Sequence, residues 1–202
     1  MLTNGTSKRP VREAALAARR ALSGPERAAR SEQIGRRVLA LDAFERAPIV
    51  AVYAALGAEV DTTAIVLGAV ARGKRVAFPR AAGDRGLAFS LSSLDALVQG
   101  PYGARQPPPD APILEPSRLG LVLVPGVAFD LECRRLGRGR GHYDATLSAM
   151  PAGIVRIGLA FEVQIVDEVP SEPHDVVLDA VVTESRVVFR LPSGAATGRS
   201  SR

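Results

Sequence analysis

The 202-residue chain has no tryptophan, three tyrosines, six phenylalanines and a single cysteine. With aromatics at 4%, its core must be aliphatic, built from Val, Leu, Ala and Ile. The same scarcity argues against a single-strand nucleic-acid binder, which pairs a basic groove with exposed rings for stacking. One cysteine, Cys133, excludes an internal disulfide and fits a reducing compartment. No apolar run approaches the length of about 20 residues that crosses a bilayer, and the first residues are polar and basic rather than leader-like. A cytoplasmic protein with no membrane partner is therefore expected. The two histidines, His142 and His174, are each eligible for acid–base work, but no Ser–His–Asp grouping or metal-ligand spacing accompanies them.

What the chain does have is an ordinary globular balance, 47% apolar and 23% charged, with a net charge of +5. Length and composition indicate one domain over residues 7–191, followed by a Gly- and Ser-rich tail at 192–202 that is expected to be disordered. The positive balance favours anionic partners. With stacking aromatics so few, small phosphorylated or carboxylated molecules fit better than nucleic acid, and a monomer is expected.

Hydrophobic patterning predicts an N-terminal pair of helices, Lys8 to Ser23 and Ser23 to about Leu41. The second is announced by a capping-box pattern in Ser23-Gly24-Pro25-Glu26. Apolar runs at Ile49–Ala54, Arg75–Pro79 and Leu119–Gly126 read as buried strands, the last most strongly. "TTAIVLGAVARG" reads as a helix between the first two. "LAFSLSS" gives a weaker strand, "LDALVQG" (Leu94–Gly100) a short helix, and Pro101–Pro116 a proline-rich connection. A helix from about Gly141 to Met150, a strand over Gly153–Phe161 and two strands in "DVVLDAVVTESRVVFRL" complete the pattern. Strands alternating with helices imply a single layered α/β domain with a mostly parallel, Rossmann-like central sheet and an N-terminal helical pair.

One segment concentrates chemistry. "RRLGRGRGHYD" (Arg134–Asp144) places four arginines and three alternate glycines between the strongest strand and a helix start. In open α/β sheets ligands gather beyond the carboxyl ends of strands, and glycine-freed amides and helix starts bind phosphate there. Arginine adds planar multidentate donors. A solvated basic loop is the bland alternative; the strand-to-helix context favours phosphate. "GAVARGK" (Gly68–Lys74) satisfies part of a Walker A pattern, but Arg75 stands where Ser or Thr belongs and Gly73 falls at a helix end. Asp144 and Asp175 each read as a surface aspartate or a magnesium ligand. Glu59, after the first strand, either holds an N–H-rich ligand group or faces solvent. Cys133 beside Arg134 and Arg135 reads as an acidified thiol or, preferably, an inert loop cysteine.

Taken together, "KRPVR" (Lys8–Arg12), "EVDT" (Glu59–Thr62), "GKRVAFPR" (Gly73–Arg80), "PGVAFDLECRRLGRGRGHYD" (Pro125–Asp144) and "GLAFEVQIVDEVPSEPHDVVLDAVVTE" (Gly158–Glu184) resemble, in order, the landmarks of the 5-formyltetrahydrofolate cyclo-ligase family. The resemblance implies an ATP- and Mg²⁺-dependent ligase that converts 5-formyltetrahydrofolate to 5,10-methenyltetrahydrofolate with release of ADP and phosphate. In that mechanism the γ-phosphoryl group moves to the formyl oxygen, N10 closes the ring on the resulting iminium phosphate, and phosphate departs.

Carried onto this chain, the resemblance assigns ATP contacts to Lys8, Arg12, Arg135, Gly137, Arg138, Gly139, Arg140, Gly141, His142 and Tyr143. Arg138, Arg140 and Tyr143 take the catalytic roles, Ala54, Glu59 and Tyr143 the folate pocket, and Asp144 and Asp175 the metal. Two positions depart from the family pattern: Cys133 stands where glycine is usual, implying a strained or reshaped turn, and His142 replaces the first of two tyrosines. A non-catalytic folate- or nucleotide-binding paralogue with a regulatory role is the main alternative. An RNA-binding module and a sugar-phosphate isomerase or acyl-transfer enzyme fit the residues less well.

Overall fold

The computed structural model describes residues 7–83 and 86–191; the tail expected to be disordered at 192–202 lies outside them. Helix α1 (Lys8–Ala21) starts at Ser7, whose hydroxyl accepts from the Arg9 N–H, and places Pro10 in its first turn, where a missing N–H leaves no carbonyl short of a donor. Helix α2 (Gly24–Leu39) opens with the expected reciprocal cap. Ser23 Oγ accepts the Glu26 N–H at 3.3 Å while the Glu26 carboxylate accepts the Ser23 N–H at 2.8 Å. A short α3 (Asp42–Arg46), which the sequence pattern did not suggest, buries Phe44 and leads into β1 (Ile49–Ala51).

Helix α4 (Thr63–Ala71) follows and ends in a Schellman turn. Gly73 adopts φ +68°, its N–H reaches Val70 O, and the Lys74 N–H reaches Ala69 O. The partial Walker A match is thereby a helix terminus. Next come β2 (Arg75–Ala82), β3 (Gly86–Leu91), β4 (Val98–Gln99) and β5 (Arg105–Gln106). The chain continues through β6 (Leu121–Pro125), β7 (Ala128–Phe129), β8 (Arg135–Leu136) and α5 (His142–Ser148). It closes with β9 (Val155–Leu159), β10 (Ala180–Val182) and β11 (Val187–Phe189).

Seven strands form one sheet in the order β11-β10-β9-β6-β1-β2-β3. The five central strands run parallel, and each edge is closed by an antiparallel partner, β11 on β10 and β3 on β2. Both faces are covered, which is why the central strands read as unbroken apolar runs. Val50, Val76, Phe78, Leu121 and Leu123 point to the face carrying α2, α3 and α4, where they meet Ile34, Val38, Phe44 and Ile65. Ile49, Ala77, Val122 and Val124 point to the other face and pack with Phe129, Leu147 of α5 and Leu178. The middle of α1, through Val11, Ala15 and Leu16, lies against a smaller cluster formed with the β7–β8 hairpin.

One expected element is absent. Leu94–Gly100 is a turn leading into β4, which pairs with β5. Arg105 Nη2 satisfies the Leu94 and Leu97 carbonyls and locks the turn. The first strand also stops earlier than its apolar run suggests, at Ala51, although the Val52 N–H still bonds Ala77 O at 2.8 Å.

Phe129 ties the segment after β6 to the sheet. Its ring is fully buried against Gly126 and Gly158, and a Cβ on Gly158 would come within 2.5 Å of it. Phe129→Ala should cost about 3–5 kcal/mol, and Gly158→Ala should also destabilise because the ring has nowhere to move. Urea denaturation checks both; a midpoint unchanged in either variant contradicts this anchoring role.

Candidate functional site

The chain leaves β1 through α4 on one face of the sheet and leaves β6 through the β7–β8 hairpin and α5 on the other. Two parallel neighbours whose connections diverge in this way leave a crevice at their carboxyl ends. A cleft of about 660 Å³ lies between the two segments that follow β1 and β6. The residues that the resemblance assigns to the site all line it: Lys8 and Arg12 from α1, Ala54 and Glu59 after β1, residues 135–144 after β6 (Arg135, Gly137 to Asp144), and Asp175.

Local structure explains each placement. Lys8 and Arg12 are one turn apart and share a face of α1; Arg12 Nε donates to Gly137 O at 3.0 Å, docking the helix on the basic loop. The segment carrying Glu59 is pinned by Thr62 Oγ1 donating to Tyr53 O (2.7 Å) and Tyr53 OH donating to Val60 O (3.2 Å). One oxygen of Glu59 accepts the Leu56 N–H at 2.9 Å, and the other accepts from Arg138 Nη2 at 2.8 Å. In the basic loop, Gly139 and Gly141 take φ +94° and +72°, conformations open to glycine and costly for other residues.

The four loop arginines divide into distinct jobs. Arg134 turns away from the cleft and pairs with Asp130 at 2.6 Å and with Glu168. Asp130, almost fully buried, also accepts the N–H groups of Glu132, Arg134 and Val169, so this pair is the structural foot of the loop. Arg135 sits below the cleft floor, only 4% exposed at its side chain. It holds Asp144 at 2.8 Å, donates to Pro125 O and packs its guanidinium over the Tyr143 ring. Arg138, by contrast, is 48% exposed and reaches across the cleft to Glu59. Arg140 lines the cleft mouth.

The acids are arranged in counterpoint. Lys8 Nζ lies 2.7 Å from both Asp175 and Glu172. Burial by itself disfavours the Lys8 ammonium, but hydrogen bonds and charge from those two carboxylates outweigh it and raise its pKa. Burial likewise opposes ionisation of Asp175, and the Lys8 and Glu172 backbone hydrogen bonds overcome it and hold the carboxyl below its usual range. Glu172, His174 and Asp175 bring their donor atoms within 4.8 Å of one another. Glu172 was missed from the sequence; its signal was its place three residues before Asp175 in a proline-bracketed turn.

Tyr143 is pushed well above the ordinary phenol range by burial and then by the charge of Glu59, so it stays neutral and serves as wall or donor rather than base. Cys133 adopts φ +62°, alone among the described non-glycine residues, as expected for a side chain at a glycine position. Its thiol is raised to about 11 by burial and by Asp130, so the acidified-thiol reading fails despite the neighbouring arginines.

The far wall is apolar. Tyr53, Leu56, Pro79 and Leu87 face the cleft, and the proline-rich strap closes it through Pro101, Ala104 and Gln106. Arg80 holds that strap by donating to Pro108 O (2.7 Å) and Pro109 O (2.5 Å), and Gln106 Oε1 accepts the Ala81 N–H. Sequence reasoning did not assign the strap to the site because its contacts join segments about 28 residues apart.

Among solved structures, the chain is similar to 5,10-methenyltetrahydrofolate synthetase from Aquifex aeolicus, with a TM-score of 0.79, 30% identity and 96% of each chain covered. A second likeness, to the synthetase of Mycoplasma pneumoniae, has a TM-score of 0.74 at 24% identity and bears on the fold alone. Among curated relatives, the 5-formyltetrahydrofolate cyclo-ligase of Escherichia coli is 33% identical over 84% of this chain and 96% of its own. That of Mycolicibacterium smegmatis is 34% identical over 70% of this chain and 76% of its own. Fold, cleft and relatives define an α/β enzyme of the ligase class. The family model matches residues 4–184, and the chain belongs to the 5-formyltetrahydrofolate cyclo-ligase family. Among the described residues no helix is long and apolar enough to cross a membrane.

An aspartate whose folded pKa is depressed stabilises the fold above its unfolded pKa, about 3.9, and loses that contribution as pH falls through the folded value. Asp175→Asn should therefore lower the Tm at neutral pH, with the deficit shrinking as the pH drops below about 4. Thermal denaturation of both proteins across that range checks it; a deficit that stays constant with pH assigns the loss to packing instead.

Proposed function

We propose that this cleft converts 5-formyltetrahydrofolate to 5,10-methenyltetrahydrofolate, with ATP as phosphoryl donor and Mg²⁺ as counter-ion. The observation that carries this reading is the cleft's polarity. One end gathers Lys8, Arg12, Arg138 and Arg140, and the other is apolar with a single nearly buried carboxylate, Glu59. A polyphosphate suits the first and a flat heterocycle with N–H donors suits the second.

The chemistry requires both ends together. A formyl oxygen is a poor leaving group, so ring closure by N10 needs that oxygen converted to a phosphate ester. The phosphoryl group passes from ATP to the formyl oxygen with ADP as leaving group, N10 bonds to the activated carbon and gives up its proton, and the carbon–oxygen bond breaks to release phosphate, which carries that proton away. Phosphoryl transfer is mainly positioning and neutralisation of charge. Arg138 and Arg140 on the glycine-rich loop supply mobile positive charge, while Arg12 anchors that loop through Gly137 O. Lys8 contributes a further cation at the nucleotide end. Glu59 accepts the pterin N–H groups, and Tyr143 and Ala54 line the space beside them.

The acids fit a magnesium ion by donor chemistry, since Asp144 and Asp175 present carboxylate oxygens at the cationic end. The Lys8 ammonium, already held between Asp175 and Glu172, stands where a cation is welcome. When bound, Mg²⁺ would neutralise phosphate oxygens as charge shifts between them. Arg135 keeps Asp144 in place through its 2.8 Å bond, a positioning role rather than a direct phosphate contact.

The test is to mix the protein with 5-formyltetrahydrofolate and Mg-ATP and follow the near-ultraviolet absorbance of the methenyl product. A rise that requires both ATP and magnesium is expected; its absence with folate binding retained favours the regulatory paralogue. Arg138→Ala and Arg140→Ala should each lower kcat by about 10²-fold, and undiminished turnover in both removes them from the chemistry. Asp144→Asn should raise the magnesium concentration for half-maximal rate, and an unaltered titration counts against its ligand role.

A further inference from the structure

Two groups that the proposed function needs are bound to one another. Arg138, the exposed cation of the basic loop, donates to Glu59 at 2.8 Å and also reaches Leu56 O at 3.4 Å. Glu59 is the carboxylate assigned to the heterocycle, and Arg138 is assigned to the phosphoryl group. We propose that the Arg138–Glu59 ion pair is a latch that couples the two substrate sites, so that a heterocycle on Glu59 releases Arg138 to the nucleotide and each substrate tightens the other.

The geometry sets a ligand and Arg138 in competition for one oxygen. The second Glu59 oxygen is committed to the Leu56 N–H at 2.9 Å, which leaves Oε1 as the oxygen that faces the cleft, and Arg138 occupies it. The carboxylate itself is only 10% exposed, so water offers little substitute for a lost partner. A ligand presenting N–H donors to Glu59 competes with the guanidinium for that oxygen. Arg138 can leave: it is 48% exposed, and Gly137 and Gly139 flank it. The next fixed contact of the loop is Arg12 on Gly137 O, behind rather than in front of the moving side chain.

The thermodynamic consequence is reciprocal. Whichever substrate arrives first breaks the pair, and the second then binds a site already open, so both affinities rise by the same factor. Arg135–Asp144 and Lys8–Asp175 are also ion pairs between groups of this cleft. Of these three pairs, Arg138–Glu59 is the one that joins a phosphate-end cation to the heterocycle end, and so it is the one that links the two substrates.

The inference rests on the proposed function and makes a prediction that simple loss of a ligand group would not. Calorimetric titration of a non-hydrolysable ATP analogue with Mg²⁺ should show its Kd falling about fivefold when 5-formyltetrahydrofolate is saturating. The folate Kd should fall by the same factor when the analogue is saturating. In Glu59→Gln, the analogue should bind tighter than to the unsubstituted protein even without folate, and saturating folate should add nothing further. Analogue affinity equal to or weaker than that of the unsubstituted protein in Glu59→Gln overturns the latch, provided a thermal melt shows the variant folded. If Glu59→Gln is unstable, Arg138→Lys gives the second measurement: the shorter-reaching, monodentate ammonium should weaken the pair, and the folate-induced factor should fall toward one. A fivefold factor retained in Arg138→Lys overturns the latch. Arg138→Gln separates this idea from the function beneath it. If that variant leaves analogue affinity untouched, Arg138 is no nucleotide group, and its assigned role and the latch fail together. If it weakens the analogue while Glu59→Gln does not tighten it, the assignment stands and the latch alone fails.

Discussion

Everything in this molecule follows from a break in chain direction at the centre of its sheet. Strands β1 and β6 lie side by side and parallel, yet the chain leaves one toward α4 and the other toward α5, on opposite faces. No connection crosses the gap above them, so their carboxyl ends open into a crevice. Glu59 belongs to the segment after β1 and the arginines to the segment after β6. Neither segment alone holds a site with two ends of different polarity. Their juxtaposition costs the fold nothing extra, because a doubly covered parallel sheet has to change direction somewhere.

Cations that line the cleft are paired with acids of the cleft itself. Lys8 sits between Asp175 and Glu172, Arg135 against Asp144, and Arg138 against Glu59. These are the same acids that the chemistry assigns to metal and heterocycle. The buried pair, Arg135 with Asp144, is suited to holding a carboxylate in one orientation. The Arg138–Glu59 pair joins a nearly buried carboxylate to a half-exposed guanidinium, which can swing into solvent and is suited to exchange. Burial thus separates groups of identical chemistry into scaffold and working parts.

How much of this was legible beforehand depended on whether the information was local. The alternation of apolar runs with helical spacing gave away the layered α/β class, and the Ser23–Glu26 cap and the Gly73 stop were readable because both are settled within a few residues. The basic loop announced itself through glycine spacing and charge. Composition did not reveal that Arg134 faces Asp130 and Glu168 while Arg135 lies beneath Tyr143, because both facts depend on partners brought in by folding. The Leu94–Gly100 turn was misread for the same reason. Its stability comes from the Arg105 guanidinium and the β4–β5 pairing rather than from its own helical propensity. Strand order was not legible at all, since nothing local dictates that β6 inserts beside β1.

The two departures from the family motif mark the limits of the loop's freedom. Cys133 occupies a left-handed conformation that disfavours any side chain by roughly 1–3 kcal/mol, yet it is completely buried and its carbonyl accepts the Leu178 N–H at 3.0 Å. The turn is held by Asp130, which gathers three backbone N–H groups and the Arg134 guanidinium around it. With the foot of the loop over-determined in this way, the backbone strain at Cys133 is absorbed locally and need not reach the tip. Beyond Arg135 the loop is held by Arg12 on Gly137 O and by the Arg138–Glu59 pair. A loop fixed at Asp130 and held at Arg138 by a half-exposed side chain can deliver one guanidinium to either of two partners without disturbing the sheet below, which is the mechanical condition that substrate exchange at Glu59 requires.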